Sequence, residues 1–439
     1  MRVQLKTLGC RLNEAELETW AREFQQAGYR VVDALEEADL LVLNSCAVTQ
    51  DAVRKSRGQI RKIGRENPKA KIILSGCYAT LAPDEAQALG VDLVIDNRDK
   101  HRLVELAREN LPPETMPSLA TDPNESVLFR LGRHRAFIKV QDGCRYRCTY
   151  CIVTVARGEE KSRSINEIVE EIHSFERQGI GEAILTGVHL GGYGSDNGTD
   201  LQHLIERVLD ETEIPRIRLG SLEPWDIPEG LVQLFKNPRL MPHLHLPLQS
   251  GSDAVLKRMA RRTRRTDFLH LIETFRTAVP GINITSDIIV GFPGETPEEW
   301  EETLELVRSV EFGGLHIFSY SPRPGTAAAS MPDRIPGHIQ AERSRELHAL
   351  AETQRQSAMR GLVGEVRPVL WEGTRPSGDK VLVTGYTPEY HRVGLWIEAS
   401  EAEALPYTIK MTDITGFDET HDCLAGRLTR TEGSGVIDA

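Results

Sequence analysis

Ala136-Phe-Ile-Lys-Val-Gln-Asp-Gly-Cys144-Arg-Tyr-Arg-Cys148-Thr-Tyr-Cys151 is the stretch on which the reading of this 439-residue chain turns. The apolar run over Ala136-Phe-Ile-Lys-Val140 predicts a buried strand. Three thiols follow it within eight consecutive residues. A tetrahedral zinc site wants four N or S ligands, usually from paired C-x-x-C knuckles. Here a C-x-x-x-C-x-x-C triplet stands with no fourth Cys or His nearby. Three thiolates suit a 4Fe-4S cluster that leaves one iron open for a substrate or cofactor. Structural zinc and three unrelated thiols are the competing readings.

Working outward, the strand is the first of a series. Glu182-Ala-Ile-Leu-Thr186, Ile217-Arg-Leu-Gly-Ser221, His243-Leu-His-Leu246, Asn283 to Val290 and Gly314 to Ser319 read as further strands, with helical stretches such as Ile165 to Arg177 and Pro297 to Val310 between them. Six βα units predict a partial parallel barrel, two short of a complete one. The cysteine triplet then occupies the first βα loop, at the barrel end where active sites are built. Thr186, Gly187, Ser221 and Glu223 lie at the ends of the second and third strands and face the same end. His243 and His245 alternate along a strand and point the same way, as polar barrel lining or as metal ligands.

Three more cysteines share a different pattern. Strand-like runs over Arg2 to Lys6, Asp39 to Asn44 and Lys71 to Ser75 end just before Cys10, Cys46 and Cys77, with helical patterns over Glu14 to Ala27 and Asp51 to Glu66 between them. Alternating strand and helix predicts a parallel sheet with right-handed crossovers. Ligands sit at the carboxyl ends of such strands, so all three thiols fall on one rim. They form either a second three-ligand site or three separately buried cysteines. A fourth strand is expected at Val91 to Ile95.

The expected fold class is therefore α/β: a parallel N-terminal domain over residues 1–112, a Pro-rich linker over 113–129, and the partial (β/α)6 barrel over 130–360. Short strands separated by turns then predict a small antiparallel β-barrel over 361–430, followed by a polar tail over 431–439. Seven cysteines, an odd number, with no apolar leader, point to a reducing, cytoplasmic setting rather than a disulfide framework. Cys423 stands apart and reads as structural. No apolar run approaches the length that crosses a bilayer, so no membrane partner is expected.

The net charge of −12 is the wrong sign for coating nucleic acid at large, so any nucleic-acid contact must be local. Arg54, Arg57, Arg61 and Arg65 recur on one helix face, and Lys257, Arg258, Arg261, Arg262, Arg264 and Arg265 form a second basic run. Each is either a phosphate footprint or a solvated helix face.

The triplet Cys144/Cys148/Cys151 resembles the signature of the radical S-adenosylmethionine (SAM) enzymes. With three more cysteines on an N-terminal α/β unit and a small C-terminal barrel, the whole chain resembles the methylthiotransferases of that superfamily. Lys6-Thr-Leu-Gly-Cys10-Arg-Leu-Asn13, Asn44-Ser-Cys46-Ala-Val-Thr49, Gly220-Ser-Leu-Glu-Pro-Trp225 and Gly385-Tyr-Thr-Pro-Glu-Tyr390 are similar to the branch that modifies threonylcarbamoyladenosine in tRNA. Sister branches act on isopentenyladenosine in tRNA or on an aspartate of a ribosomal protein. A non-catalytic iron–sulfur RNA-binding protein is the reading from another class.

The resemblance implies two 4Fe-4S clusters, one on each cysteine triplet, with SAM as both radical source and methyl donor. A 5′-deoxyadenosyl radical would take hydrogen from C2 of the adenine, where the methylthio group is then placed. Tyr150 would lie near the adenine of SAM, and Thr186, Gly187, Ser221 and Glu223 would contact SAM. The implied partners are a tRNA anticodon stem-loop carrying threonylcarbamoyladenosine, an electron donor such as flavodoxin or ferredoxin, and a sulfur donor. The terminal barrel resembles the TRAM domain, an OB-like RNA-gripping module. Its Tyr386, Tyr390 and Arg392 are candidates either for stacking on bases or for packing. One residue departs from the family pattern: after Cys151, where the family commonly has Pro, this chain has Thr154, a change that bears on loop shape.

Overall fold

In the N-terminal sheet, β1 (Arg2–Thr7), β2 (Arg30–Val31), β3 (Leu40–Ser45), β4 (Lys71–Gly76) and β5 (Leu93–Val94) run parallel in the order β2-β1-β3-β4-β5. The computed structural model describes residues 1–111, 134–377, 380–401 and 405–429, so the expected linker and tail lie outside the described residues. β3 shows why a central parallel strand reads as a continuous apolar run. Leu40 and Val42 pack toward helix Arg11–Gln26, whereas Leu41 and Leu43 pack toward helix Gln50–Glu66. The two-residue edge strand β2 is too short to leave a sequence signal.

Six further parallel strands form the expected partial barrel: β6 (Arg135–Lys139), β9 (Glu182–Thr186), β10 (Arg216–Leu219), β11 (His243–His245), β12 (Asn283–Val290) and β13 (Gly314–Ser319). They form two three-stranded sheets that parallel bridges Ile217↔Leu240 and Ser221↔His245 join into one arc. A short hairpin, β7 (Gln141–Asp142) with β8 (Lys161–Ser162), frames the cysteine loop. The outer helices start on side-chain caps: Ser164 and Glu167, and Thr296 and Glu299, complete reciprocal capping boxes.

The apolar core lies outside the arc, between strands and helices, and includes Ile138, Leu185, Ile217, Leu219, Leu244, Ile284 and Ile288. The alternate residues on the same strands are polar: Glu182, Arg216, Arg218, His243, His245, Thr285 and Asp287. Glu182 and Arg218 are fully buried and paired at 2.7 Å. Burial works against ionisation of Glu182, but Arg218, with Arg135 and Arg216 nearby, holds its carboxyl down to about 2.

The C-terminal module is a closed five-stranded barrel of β14 (Val366–Ser377), β15 (Lys380–Tyr386), β16 (Arg392–Glu398), β17 (Ile409–Asp418) and β18 (Cys423–Leu428), in the order β14-β15-β16-β18-β17. β18 is the strand that the sequence patterning does not reveal, because Cys-Leu-Ala-Gly-Arg-Leu has little β-branched character. Closure pairs β16 with β18 in parallel, an exception to the antiparallel expectation. Cys423 is fully buried in this module, with Gly394 leaving room for its sulfur.

The turn between β15 and β16 plugs the barrel at the starting ends of its strands. Arg216 donates to the Tyr386 carbonyl at 3.0 Å, Arg218 to the Pro388 carbonyl at 3.0 Å, and Asn283 to the Glu389 carbonyl at 2.8 Å. Tyr386 and Tyr390 stack on each other, with Arg135 over the first ring and Arg218 over the second. These tyrosines thus take the packing alternative, against the floor of the barrel.

Arg218→Met would leave the Glu182 carboxylate buried without its main partner. The expected cost is about 3–5 kcal/mol, read as a lower urea midpoint for loss of barrel structure; an unchanged midpoint would show the pair to be dispensable.

Candidate functional site

The strand ends deliver the first three cysteines to one rim. Thr7 pairs in register with Asn44, Asn44 with Ser75, and Ser45 with Gly76, so the chain leaves β1, β3 and β4 side by side. Two glycines make the approach possible. A Cβ on Gly9 (φ +121°) would lie 2.8 Å from the Cys46 Cβ, and one on Gly76 (φ +91°) would meet the Ser45 carbonyl oxygen at 2.3 Å. Cys10, Cys46 and Cys77 lie close enough that the charge of each neighbouring thiol disfavours ionisation of Cys46. Burial is the larger effect and pushes Cys46 up to about 11.

The second triplet sits in the β6–β9 connection. Cys144 is held by its N–H donating to the Gly158 carbonyl at 3.1 Å, and Thr149 by its N–H donating to the Met259 carbonyl at 3.0 Å. Burial pushes Cys144 to about 11 and Cys151 to about 12, with the other thiols of the triplet adding to the effect. Thr154 explains its departure from the family pattern: its hydroxyl donates to the Tyr146 carbonyl at 2.9 Å and closes the loop in a way proline cannot. All six cysteines are free. Each triplet offers three soft donors, and burial disfavours the thiolate forms of Cys46, Cys144, Cys148 and Cys151, so a thiolate-binding cation is the natural complement.

Around Cys144 a polar network fixes the loop. The Tyr146 hydroxyl donates to Asp226 at 3.0 Å, and His189 bridges Glu160 at 2.5 Å and Asp226 at 2.7 Å. Burial disfavours the charged form of His189, but the bonds to Asp226 and Glu160 outweigh it and raise its pKa. Glu160 and His189 place ligand atoms within 4.8 Å of that of Cys144, yet both are already engaged in this network. None of Tyr146, Glu160, His189 and Asp226 has a sequence motif that singles it out.

Of the residues expected near SAM, Tyr150 lies against Cys148, and Glu223 pairs with Arg261 at 2.7 Å beside the same thiol. Thr186, Gly187 and Ser221 end their strands at the same barrel end, Thr186 buried, Gly187 against Gln141 and Ser221 exposed. Arg261 corrects the reading of the second basic run. The chain turns at Ala260 (φ +55°), Arg261 is turned inward over the Trp225 ring, and its side chain is almost fully buried. Arg258 is tied to Glu299 and Arg262 lies over the Tyr146 ring, so that run is not one surface stripe. In the first run Arg54 pairs with Asp51 and Arg57 with Glu85, whereas Arg61 and Arg65 are exposed.

The two triplets are tied together through the helix Val153–Arg157, which starts two residues after Cys151. Arg157 at its end reaches Asn13 at 2.7 Å, Glu16 at 2.9 Å and Asp142 at 3.0 Å. Lys100 pairs with Glu16 and with Asp142, each at 2.6 Å. Asn97 donates to the Ala156 carbonyl at 2.7 Å and to the Cys77 sulfur at 3.9 Å. Beside this network opens a cleft of about 470 Å³, to which Arg98, Lys161 and Arg163 add positive charge.

Residues 138–307 match the model of the Radical SAM superfamily, and residues 2–96 match that of Uncharacterized protein family UPF0004. The chain is 38% identical over 395 residues to threonylcarbamoyladenosine tRNA methylthiotransferase MtaB of Thermotoga maritima, covering 88% of this chain and 90% of that protein. The Bacillus subtilis protein of that name is 35% identical, with 89% of each chain covered. The tRNA-2-methylthio-N(6)-dimethylallyladenosine synthase of Anoxybacillus flavithermus is 36% identical, over 87% of this chain and 75% of that one. Among solved structures, the radical SAM methyltransferase TsrM of Kitasatospora setae has the same fold over 75% of both chains, with a TM-score of 0.57 and 15% identity.

Removing Arg157 tests the tie between the triplets. Arg157→Met leaves Glu16 and Asp142 with fewer counter-charges, and the expected cost at pH 7 is about 3–5 kcal/mol in a urea melt. Against the opposing effect of burial, Arg157 and the two lysines lower the Glu16 pKa. The wild type therefore gains stability above the ordinary carboxylate pKa and loses it as pH falls through the lowered value. In the variant Glu16 protonates more readily, so the gap to wild type should narrow from pH 7 to pH 4. A gap independent of pH would count against the ionic tie.

Proposed function

Because the chain belongs to the radical SAM methylthiotransferase family, we propose that it adds a methylthio group to C2 of threonylcarbamoyladenosine at position 37 of tRNA. The observation that carries this reading is the pair of cysteine triplets, joined through the Asn97–Ala156 hydrogen bond and the Arg157 ion pair. The family model over residues 138–307 implies SAM and a 4Fe-4S cluster. Cys144, Cys148 and Cys151 would hold that cluster. A second would sit on Cys10, Cys46 and Cys77 as the site of sulfur transfer. When bound, cluster and SAM supply the radical chemistry that an adenine C–H bond requires.

What the chain contributes is placement and exclusion of water. The Tyr146–Asp226–His189–Glu160 network fixes the loop between Cys144 and Cys148. Arg261, neutralised by Glu223, lies beside Cys148, with Tyr150 against the same thiol. Within this reading Tyr150, Thr186, Gly187, Ser221 and Glu223 form the SAM-facing wall. The Tyr386–Tyr390 turn closes the far end of the barrel, so substrate enters from the thiol side. Exposed Arg61 and Arg65, and the basic cleft with Lys161, supply local charge for a tRNA anticodon stem-loop.

On this account the chain divides its work among a thiol-bearing sheet, a radical barrel and an RNA-gripping terminal barrel. The reaction draws on an electron donor such as flavodoxin or ferredoxin and on a separate sulfur donor, in the cytoplasm. No helix among the described residues is long and apolar enough to cross a membrane.

Anaerobic reconstitution should load about eight irons per chain; about four would remove the second cluster. Cys144→Ala/Cys148→Ala/Cys151→Ala should abolish SAM cleavage to 5′-deoxyadenosine. Cys10→Ala/Cys46→Ala/Cys77→Ala should keep that cleavage and lose the methylthiolated nucleoside, both read by mass spectrometry. Product from isopentenyladenosine-containing tRNA but not from threonylcarbamoyladenosine-containing tRNA would move the chain to the sister branch.

A further inference from the structure

The segment that follows β13 runs between the two cysteine triplets. The Pro322 carbonyl accepts from the Gln50 side chain at 3.3 Å, at the start of the helix that begins four residues after Cys46. Gly325 (φ +88°) comes against Ile152, next to Cys151, where an added Cβ would lie 3.6 Å from the Ile152 side chain. The Ala328 N–H donates to the Thr149 carbonyl at 2.8 Å, between Cys148 and Cys151. A turn closed by Thr326, whose N–H and hydroxyl both donate to the Arg323 carbonyl, fixes the backbone between these anchors.

That turn carries Arg323, which is only 9% exposed. Its Nε has no hydrogen-bond partner, and no carboxylate pairs with it among the described residues. The residue before it, Pro322, is bonded to Gln50, four positions past Cys46. Arg157 also lies near the N-terminal thiols, but its guanidinium is committed to Asn13, Glu16 and Asp142. A buried guanidinium without a counter-charge is costly, and its planar fork is suited to an anion. Burial this deep, in a segment tied to the helix that follows Cys46, favours a small anion over the backbone of a nucleic acid, which is met by exposed cations.

We infer that Arg323 is an anion-binding residue that holds a small sulfur anion, hydrosulfide or methanethiolate, at the Cys10/Cys46/Cys77 site, on the side that faces the second triplet. The inference rests on the reading of those three cysteines as the sulfur-transfer site. Arg323 would hold the sulfur species by charge and hydrogen bonding, without itself entering a covalent step.

The test uses full-length Cys144→Ala/Cys148→Ala/Cys151→Ala protein, reconstituted anaerobically so that only the N-terminal triplet is loaded. Methanethiolate is titrated in and binding is followed by electron paramagnetic resonance of the reduced cluster. Adding Arg323→Met should weaken the apparent Kd at least about tenfold with iron and sulfide counts unchanged. Arg323→Lys, which keeps the charge and loses the fork, should fall between the two; it also serves if the Met variant fails to load iron. An unchanged Kd in both variants overturns the inference, as does a spectrum of the triple-Ala protein with Arg323 intact that does not respond to methanethiolate. Loss of tRNA affinity in Arg323→Met with unchanged methanethiolate binding would assign the residue to an RNA phosphate and overturn it equally. Failure of the triple-Ala protein to load any iron would instead remove the second cluster itself, and the parent reading with it.

Discussion

Where the N-terminal sheet meets the barrel, the chain buries two carboxylates, Glu16 and Asp142, against three cations, Lys100, Lys139 and Arg157. Taking Glu16, Lys100 and the Arg157 guanidinium out of water, with Asp142 and Lys139 partly covered, is expensive, and apolar side chains of the same volume would hold two modules together at least as firmly. What charges add is directionality, because each carboxylate must meet its cations or remain buried and unpaired. Here the partners come from fixed points: Glu16 and Asn13 from the first turns after Cys10, Arg157 from the short helix after Cys151, Lys100 from the end of the N-terminal sheet region. The docking thus fixes one cysteine triplet relative to the other.

The barrel is arranged in the same spirit. Its strands keep the usual alternation, but the apolar set faces the helices and the polar set faces inward, where a full barrel would fill the centre with branched apolar side chains. A polar interior needs internal partners or it will take up water. The Glu182–Arg218 pair, the His245–Asp287 contact at 3.2 Å and the backbone carbonyls of the β15–β16 turn supply them. The interior below the thiol loop is therefore ordered by hydrogen bonds, with the Arg135, Arg218 and tyrosine stack as its base.

Much of this was legible in the chain itself, because it is local. Strand and helix periodicities placed the barrel elements to within a residue or two, and Ile165–Arg177, Asn283–Val290 and Pro297–Val310 coincide with the expected limits. The six cysteines divide into two threes because one set shares a C-x-x-x-C-x-x-C spacing and each member of the other follows a strand end. What escaped is long-range. Arg261 sits in a run of basic residues, and only the turn at Ala260 directs it to Glu223 rather than to solvent. Tyr386 and Tyr390 look like an RNA-binding pair until the barrel floor, contributed from residues 135–283, is set beneath them. Arg157 and Glu16 are separated by more than a hundred positions, and no spacing rule links them. Arg323 is one arginine among many until its burial is known.

The plug formed by the β15–β16 turn bears on how such a protein could be rebuilt. A small terminal barrel would ordinarily be an exchangeable accessory, open to trimming or to replacement by that of a relative. Here the same module supplies the carbonyls that satisfy Arg216, Arg218 and Asn283. A graft that exchanged the terminal barrel would thus also re-floor the parallel barrel. The two barrels are coupled in this chain by shared hydrogen bonds, and a chimera would have to carry its own matching barrel base.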